Sequence, residues 1–219
     1  MKNILALNGS PRENGNTSLL LDSFIEGARQ NTDHVEVLFP HKMNIDHCRG
    51  CLRCNVLKRC SISVDDWLDL SQKILDSDIL VFASPIYFHH LPGPVKVVLD
   101  RFRSFNHVQI TESGLEHTPW QEWKKDFVLL LTMGSPDQSD ALPVIDLFDF
   151  VKSILGPGNR LHVITATRVA MARQISKSKD ELSALYEKLK LPAELAEEDY
   201  LRNMKTLEET RKLGSLLSR

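Results

Sequence analysis

The stretch NGSPRENGNTSLL, residues 8–20, joins a short apolar run to an amphipathic segment. Its two glycines permit close backbone approach and left-handed backbone angles. Asn16, Thr17 and Ser18 then offer side chains that can cap the helix that follows. Because the amino end of a helix carries free N–H groups and a partial positive charge, the stretch favours an anion, most simply a phosphate. An ordinary capped helix after a glycine turn is the alternative interpretation.

Two common phosphate motifs do not fit this stretch. A P-loop has four residues between its two glycines and a lysine directly after the second one. Here five residues separate Gly9 from Gly15, and Asn16 occupies the lysine position. The dinucleotide fingerprint G-x-G-x-x-G is also absent. The hydroxyl-rich loop that remains suits one terminal phosphate better than a nucleoside triphosphate.

Around this loop the chain alternates between apolar runs and helical patterns. The runs span residues 3–7, 35–39, 78–83, 127–132 and 162–166, and the helical patterns span 17–30, 65–75, 95–105 and 144–155. Apolar runs without strict alternation are typical of strands buried on both faces of a parallel sheet. The sequence therefore predicts an α/β fold, a doubly wound five-stranded parallel sheet with helices on both faces. Ligands of such sheets bind outside the carboxyl ends of the strands.

Two segments exceed the minimal fold. Residues 106–125 form an insertion that carries Trp120 and Trp123. Residues 176–219 read as a C-terminal helical extension, Leu-rich on one side and charged on the other, following a domain that spans residues 1–175. The apolar stripe of this extension must be buried, either on its own domain or against a second chain.

The composition narrows the range of partners. Lys and Arg number 27 and Asp and Glu 29, so the formal charge of −2 gives no reason to expect binding to nucleic acid. No apolar run approaches the length of a membrane span. The apolar stretch near the amino terminus is short and runs into a Gly-Ser-Pro turn, unlike a secretory signal. We therefore expect a cytoplasmic protein with reduced thiols and no membrane partner.

A second unusual loop, SPIYFHHLPGPVKVVLDR at residues 84–101, follows the third apolar run. Its aromatic and branched residues, placed at the carboxyl end of a buried strand, would make a wall for a flat ring. A cover over the sheet edge is the alternative interpretation. The stretch TMGS, residues 132–135, ends the fourth run on the same rim, where its backbone can bond the polar edge of a heterocycle.

These three stretches together resemble the flavodoxin-fold NAD(P)H-dependent FMN reductase family, over roughly residues 1 to 170. The resemblance implies the strand order 2-1-3-4-5, with FMN at the switch point of the sheet and NAD(P)H as the electron donor. It implies that the FMN phosphate is held by Ser10, Arg12, Asn16, Thr17 and Ser18. It further implies that the isoalloxazine lies along Pro85, Ile86, Tyr87 and Phe88 and that its far edge meets Thr132, Met133 and Gly134.

All four cysteines of the chain lie in CRGCLRCNVLKRC, residues 48–60. Structural zinc sites usually pair two knuckles that are a dozen or more residues apart, and this run has no room for that separation. The C-x₂-C-x₂-C spacing is closer to that of ferredoxins, and Lys58 and Arg59 could offset the negative charge of a cluster. A redox dithiol would leave two cysteines unexplained. Metal-free thiols in a compact turn remain an alternative.

The complete C-x₂-C-x₂-C-x₅-C pattern resembles the iron–sulfur flavoproteins of the same fold. That resemblance implies a [4Fe–4S] cluster on Cys48, Cys51, Cys54 and Cys60. The sequence as a whole thus predicts an FMN-dependent oxidoreductase, with a small molecule or a protein as acceptor and a homodimeric or homotetrameric assembly. No side chain stands out as a catalytic base or nucleophile, because the flavin would supply the chemistry. A flavodoxin-type electron carrier and a thiol or metal sensor on the same scaffold are the rival interpretations.

Overall fold

The computed structural model describes all residues, 1–219, and places five parallel strands in one sheet. The seven strands of the protein, of which the fourth and fifth form a separate hairpin, are β1 (Ile4–Asn8), β2 (Val35–Leu38), β3 (Ile79–Pro85), β4 (Asn106–Thr111), β5 (Gly114–Pro119), β6 (Asp126–Thr132) and β7 (Arg160–Ala166). The helices are α1 (Asn16–Ala28), α2 (Cys54–Leu57), α3 (Trp67–Asp76), α4 (Gly93–Arg101), α5 (Leu142–Ile154), α6 (Lys179–Leu189) and α7 (Glu194–Leu217).

The sheet order is β2-β1-β3-β6-β7, which confirms the predicted flavodoxin-like topology when the sheet strands are counted in chain order. Every residue of the three central strands is buried, as a sheet covered on both faces requires. The register aligns Pro85 with Thr132 and Thr132 with Ala166, so the carboxyl ends of β3, β6 and β7 meet at one edge. The loops that follow these strands therefore converge there.

Two apolar layers cover the sheet. Helices α3, α4 and α5 bury one face around Trp67, Phe82 and Phe148. Helix α1 covers the other face, and Leu217 at the end of α7 belongs to the same layer. The C-terminal extension thus packs on its own domain, which is one of the two placements expected for its apolar stripe. No helix combines the length and the apolar composition that crossing a bilayer requires.

Helices α1 and α7 approach closely because each presents a glycine to the other. A Cβ built on Gly27 would overlap the carbonyl oxygen of Arg211, and one built on Gly214 would overlap the carbonyl oxygen of Phe24. The long helix α7 can therefore lie directly on α1 and shield it from solvent. Small residues at a helix crossing allow the two helix axes to approach closely, and larger residues would force the axes apart.

The insertion at 106–125 is ordered. Strands β4 and β5 form an antiparallel hairpin apart from the main sheet, and Thr111 pairs with Gly114 at its turn. Two tryptophans fasten the segment that follows. The indole N–H of Trp120 donates to the carbonyl oxygen of Ser104 at 3.1 Å, and Trp123 is buried with its ring stacked on Phe127. The hairpin itself remains on the surface, next to the cysteine-rich loop.

Candidate functional site

A cavity of about 270 Å³ opens at the carboxyl edge of the sheet, between the start of α1 and the loops after β3, β6 and β7. We call it the carboxyl-edge cavity. Ten of the twelve residues predicted to contact FMN line it, and the two exceptions are Ser18 and Phe88. Gly15, Val169 and Ala170 complete the lining and were not predicted. A larger cleft of about 360 Å³ lies at the opposite edge of the sheet, around the Lys73–Glu36 ion pair. No helix begins at this cleft.

The phosphate end of the carboxyl-edge cavity is the start of α1. Gly15 occupies the N-cap position, and no side chain caps the helix. The backbone N–H groups of Asn16, Thr17 and Ser18 have no acceptor in the protein, although these three residues are buried. Buried N–H groups are almost always paired in folded proteins, so three free donors at a positive helix end fit a bound anion. The structure therefore favours the anion-binding interpretation over an ordinary capped helix.

The side chain of Asn16, which was predicted to contact the phosphate, binds the loop after β7 instead. Its amide nitrogen donates to the carbonyl oxygens of Val169 at 2.7 Å and Met171 at 2.8 Å. Its amide oxygen accepts from the backbone N–H of Ile175 at 3.1 Å. The side chain is thus fully used in fastening the loop after β7 to the start of α1, and only the backbone N–H of Asn16 is free for a phosphate.

The hydroxyl groups around the phosphate end are linked to each other. Thr17 Oγ1 and Thr132 Oγ1 are 2.7 Å apart, so one of them retains a hydrogen for a further acceptor. Ser18 Oγ accepts from the side-chain amide of Asn8 at 2.9 Å, and Ser18 does not line the cavity. Ser10 Oγ accepts from the backbone N–H of Arg12 at 3.2 Å. Among these hydroxyl groups, that of Thr17 is the best placed for a ligand.

The apolar wall of the cavity follows β3. Pro85, Ile86 and Tyr87 line it, and the N–H of Ile86 donates to the carbonyl oxygen of Thr132 at 2.8 Å. The next residues form a tight turn, in which Phe88 and His89 have φ angles of 49° and 60°. This turn carries the side chain of Phe88 into solvent, where it is fully exposed. Phe88 therefore does not contribute to the cavity within one chain, unlike the three residues before it.

The four cysteines line a second cavity, of about 160 Å³, which we call the cysteine cavity. Cys54 is buried and Cys51 is exposed, while Cys48 and Cys60 are intermediate. Burial raises the pKa of the Cys54 thiol, an effect that the nearby guanidinium of Arg103 opposes. A hydrogen bond with Ser61 lowers the pKa of the exposed Cys51 thiol. All four cysteines are free thiols.

The cysteine cavity brings together four potential ligands of a metal centre. No three His, Cys, Asp or Glu side chains are arranged to hold a single metal ion. Four thiols nevertheless surround one space. A zinc ion needs its thiolates about 2.3 Å from one centre, whereas each iron of a cubane takes its own cysteine, so the thiols stand farther apart. Four cysteines line this space, the number of ligands that a cubane cluster requires.

In the order of the chain, helix α4 lies between residues of the two cavities. The cavity wall at Pro85 and Tyr87 precedes this helix, while Arg103 and Ser104 of the cysteine cavity follow it. The nine residues of α4 span about 13 Å at the usual helical rise. The cavities share no lining residue. Within one chain they are two distinct cavities.

The sequence model of the NADPH-dependent FMN reductase family matches residues 2–173 of this chain. The chain belongs to this family. The predicted resemblance is thereby confirmed. A relative that aligns over most of this member is the putative NAD(P)H-dependent FMN-containing oxidoreductase YwqN of Bacillus subtilis, 25% identical over 72% of this chain and 86% of that protein.

Other relatives match a shorter part of the reductase-family chain. An iron–sulfur flavoprotein of Archaeoglobus fulgidus is 30% identical over 99 residues, 45% of this chain and 44% of that protein. The alignment thus spans less than half the length of that relative. An iron–sulfur flavoprotein of Methanosarcina thermophila is 26% identical over 98 residues, 45% of this chain and 51% of that protein.

Solved structures share the fold of this family member. Azoreductase AzrA superposes with a TM-score of 0.64 at 15% identity and covers 98% of this chain and 99% of its own. An FMN-dependent NADH-azoreductase from Bacillus anthracis in complex with FMN gives a TM-score of 0.63 at 13% identity, with 100% of both chains covered. At such identities the likeness establishes the fold alone.

Replacement of Thr17 by Ala is expected to weaken FMN binding about tenfold, equivalent to about 1.4 kcal/mol, because one hydroxyl donor to a charged phosphate is lost. Riboflavin, which lacks the phosphate, should bind both proteins equally. Flavin fluorescence titration of the apoprotein measures both affinities. Thr17→Ser keeps the hydroxyl and should bind FMN like the wild type.

Ser18→Ala is the matched comparison for this prediction. Its hydroxyl is already paired with Asn8, so its loss should affect FMN less than the loss of the Thr17 hydroxyl. An equal loss in Thr17→Ala and Ser18→Ala would contradict the assignment of Thr17 as the phosphate contact.

Proposed function

We propose that the protein is an FMN-dependent oxidoreductase that takes electrons from NAD(P)H and passes them to an acceptor. The observation that carries this proposal is the buried start of α1, where three backbone N–H groups lack acceptors beside an apolar-walled cavity. Membership of the NADPH-dependent FMN reductase family supports the same cofactor and donor. The relatives named as an FMN-containing oxidoreductase and an FMN-dependent NADH-azoreductase are consistent with it.

Bound FMN would supply the redox chemistry, so that NAD(P)H, one proton and the acceptor yield NAD(P)⁺ and the acceptor reduced by two electrons and two protons. The residues of this chain bind and orient the cofactor. The start of α1 would hold the phosphate, Ile86 and Tyr87 would flank the ring, and the backbone at Met133 and Gly134 would meet its polar edge. The loop after β7, fastened by Asn16, would close the remaining side.

Steady-state oxidation of NADPH and NADH by the FMN-loaded protein tests this proposal. Catalytic turnover with a quinone, an azo dye or another small acceptor is the expected result. A flavodoxin-type electron carrier would bind FMN but oxidise almost no NAD(P)H, and that result would contradict the proposal. The comparison needs free FMN without protein as a blank, because free FMN and NAD(P)H react slowly with each other.

We further propose that Cys48, Cys51, Cys54 and Cys60 hold a [4Fe–4S] cluster able to exchange electrons with the flavin. The supporting observation is that all four thiols surround one cavity without forming a site for a single ion. Several relatives are named iron–sulfur flavoproteins, each matching about 100 residues of this chain. Four thiolates this close repel one another, so a cationic centre would stabilise the loop.

Anaerobic reconstitution with iron and sulfide is expected to give close to four irons and four sulfides per chain, as a [4Fe–4S] cluster requires. Cys54→Ala removes the buried ligand and should lower the iron content sharply. Iron analysis, acid-labile sulfide analysis and the visible spectrum measure the result. If the wild type takes up no more iron than Cys54→Ala, the cysteines are thiols and the protein is a flavin reductase without a cluster.

We also propose a homodimer or a dimer of dimers, since exposed apolar side chains lie near the candidate sites. Phe88 is 101% exposed beside the carboxyl-edge cavity, and Ile110 is 78% exposed on the hairpin. Such residues are typical of surfaces that a second chain covers. Light scattering at micromolar concentration should give a multiple of the 24.9 kDa chain mass, and the mass of a single chain would refute the proposal.

A further inference from the structure

The wall of the cysteine cavity carries two arginines that come from outside the cysteine-rich loop. Arg101 ends α4 and Arg103 lies just beyond it. Both line the cavity together with the four cysteines. Their guanidinium groups are permanently charged at physiological pH, so their partners decide which charge is left for the cavity.

Arg101 holds the two ends of the loop together. It is 1% exposed, and its Nη1 donates to the carbonyl oxygen of Asp46 and to Asp65 Oδ2, each at 2.6 Å. Asp46 precedes the first cysteine and Asp65 follows the last one, so Arg101 joins the two ends of the loop. Because Asp65 pairs with it, the charge of Arg101 is largely neutralised. Its Nε–H is buried without an acceptor.

Arg103 differs because its contacts include no carboxylate. It donates to the carbonyl oxygen of Asn106 at 2.9 Å and to the side-chain oxygen of Asn55 at 3.0 Å. Its Nη1 lies 3.5 Å from Cys54 Sγ, the sulfur of the one buried cysteine. Three arginines line this cavity, and Arg49 and Arg101 are each paired with a carboxylate, of Asp46 and Asp65. Arg103 is therefore the lining arginine that keeps its full positive charge, and its guanidinium contacts a cysteine sulfur.

Four basic residues lie inside the loop, and none takes the place of Arg103. Arg49 pairs with Asp46, and Arg53 is exposed and does not line the cavity. The ammonium group of Lys58 lies over the ring of Trp120, 5.6 Å from its centroid. Arg59 is exposed and does not line the cysteine cavity. The sequence-based expectation that these two residues offset the charge of a cluster thus finds no support in their positions.

We propose that Arg103 is a positioning residue that holds Cys54 toward the cysteine cavity and supplies the positive charge that stabilises an anionic, thiolate-bound cluster there. This inference rests on the proposed cluster. Hydrogen bonds to cluster sulfurs and nearby charges are the levers by which a protein sets a reduction potential. Reduction adds negative charge, so the guanidinium stabilises the reduced state more than the oxidised one and raises the potential. Arg101 shapes the cavity and contributes little net charge.

The test compares Arg103→Gln and Arg103→Lys with a matched control, Arg59→Gln. The control removes the same charge from an exposed position between the last two ligands of the loop. Each protein is reconstituted anaerobically, its iron and sulfide are counted, and its midpoint potential is measured by redox titration followed by electron paramagnetic resonance. These readouts do not depend on turnover with NAD(P)H.

The midpoint potential of Arg103→Gln should be more negative than that of the wild type, with Arg103→Lys between them and Arg59→Gln close to the wild type. Equal potentials in Arg103→Gln and Arg59→Gln would overturn the proposal. If Arg103→Gln takes up no iron, restored uptake in Arg103→Lys supports the role of the charge, and loss of uptake in both variants overturns it. Absence of iron from the wild type would overturn this proposal and the cluster together, but would leave the reductase proposal intact.

Discussion

Asp199→Asn is expected to lower the free energy of unfolding by about 2–3 kcal/mol. Asp199 is 1% exposed and lies 2.5 Å from Arg202 Nη2 and 3.3 Å from Arg168 Nε. Removing one partner of a buried ion pair costs about 3–5 kcal/mol, and solvent reduces this figure here because both arginine side chains are about one third exposed. Asn keeps the shape and removes only the charge.

The same substitution, Asp199→Asn, should also weaken ligand binding in the carboxyl-edge cavity. The Tyr186 hydroxyl donates to Asp199, and burial together with that carboxylate raises the pKa of Tyr186 to about 12. Tyr186 also accepts from the side-chain amide of Gln174, whose oxygen binds the backbone N–H of Met171. Met171 belongs to the loop that Asn16 fastens, so a disturbed Asp199 should weaken FMN and riboflavin binding by the same factor.

Chemical denaturation and flavin titration measure these two effects. Glu198→Gln, which removes a charge from the exposed neighbouring position, is the control and should change stability by less than about 0.5 kcal/mol. A loss in Asp199→Asn no larger than in this control would contradict the network. A selective loss of FMN over riboflavin would also contradict it, because the loop lines the carboxyl-edge cavity through Val169 and Ala170 and does not contact the phosphate end alone.

Gly27→Ala is expected to lower the free energy of unfolding by about 3 kcal/mol or more, the upper range for overpacking a tight contact. In an exposed helix the same change would stabilise the protein by about 0.5–1 kcal/mol, so the sign itself is informative. The added Cβ would overlap the backbone of Arg211, which cannot move aside as a side chain can. Helix α7 would have to shift away from α1.

Thermal and denaturant unfolding of Gly27→Ala and Gly93→Ala make the comparison. Gly93 is the first residue of α4, and a Cβ added to it would meet no other atom within 4 Å, so its replacement should be tolerated. Equal stability of Gly27→Ala and the wild type would show that α7 does not lie on α1 as described.

The sheet was predictable because its signals are local. Residues 8–20 contain the strand end, the glycine turn and the helix start in one stretch, and α1 begins at Asn16, one residue before the predicted start. Buried central strands such as β3 and β6 are uninterrupted apolar runs that need no distant partner to be recognised. The strand order came from the family resemblance and not from the runs themselves.

The unpredicted features depend on contacts between distant residues. Asn16 was expected to contact phosphate, and its side chain instead binds a loop more than 150 residues away. Arg103 meets Cys54 across 49 residues, so no spacing rule could pair them. The hairpin at β4 and β5 did leave a local signal, since Glu112 and Ser113 form a turn that a glycine, Gly114, follows.

The central claim is that the start of α1 binds the phosphate of FMN. Titration of the apoprotein with FMN and with riboflavin, followed by flavin fluorescence at fixed ionic strength, tests it most directly. Two or more hydrogen bonds from free N–H groups to a charged phosphate should favour FMN by about 3 kcal/mol or more, at least about a hundredfold in affinity. Equal affinity for FMN and riboflavin would contradict the claim.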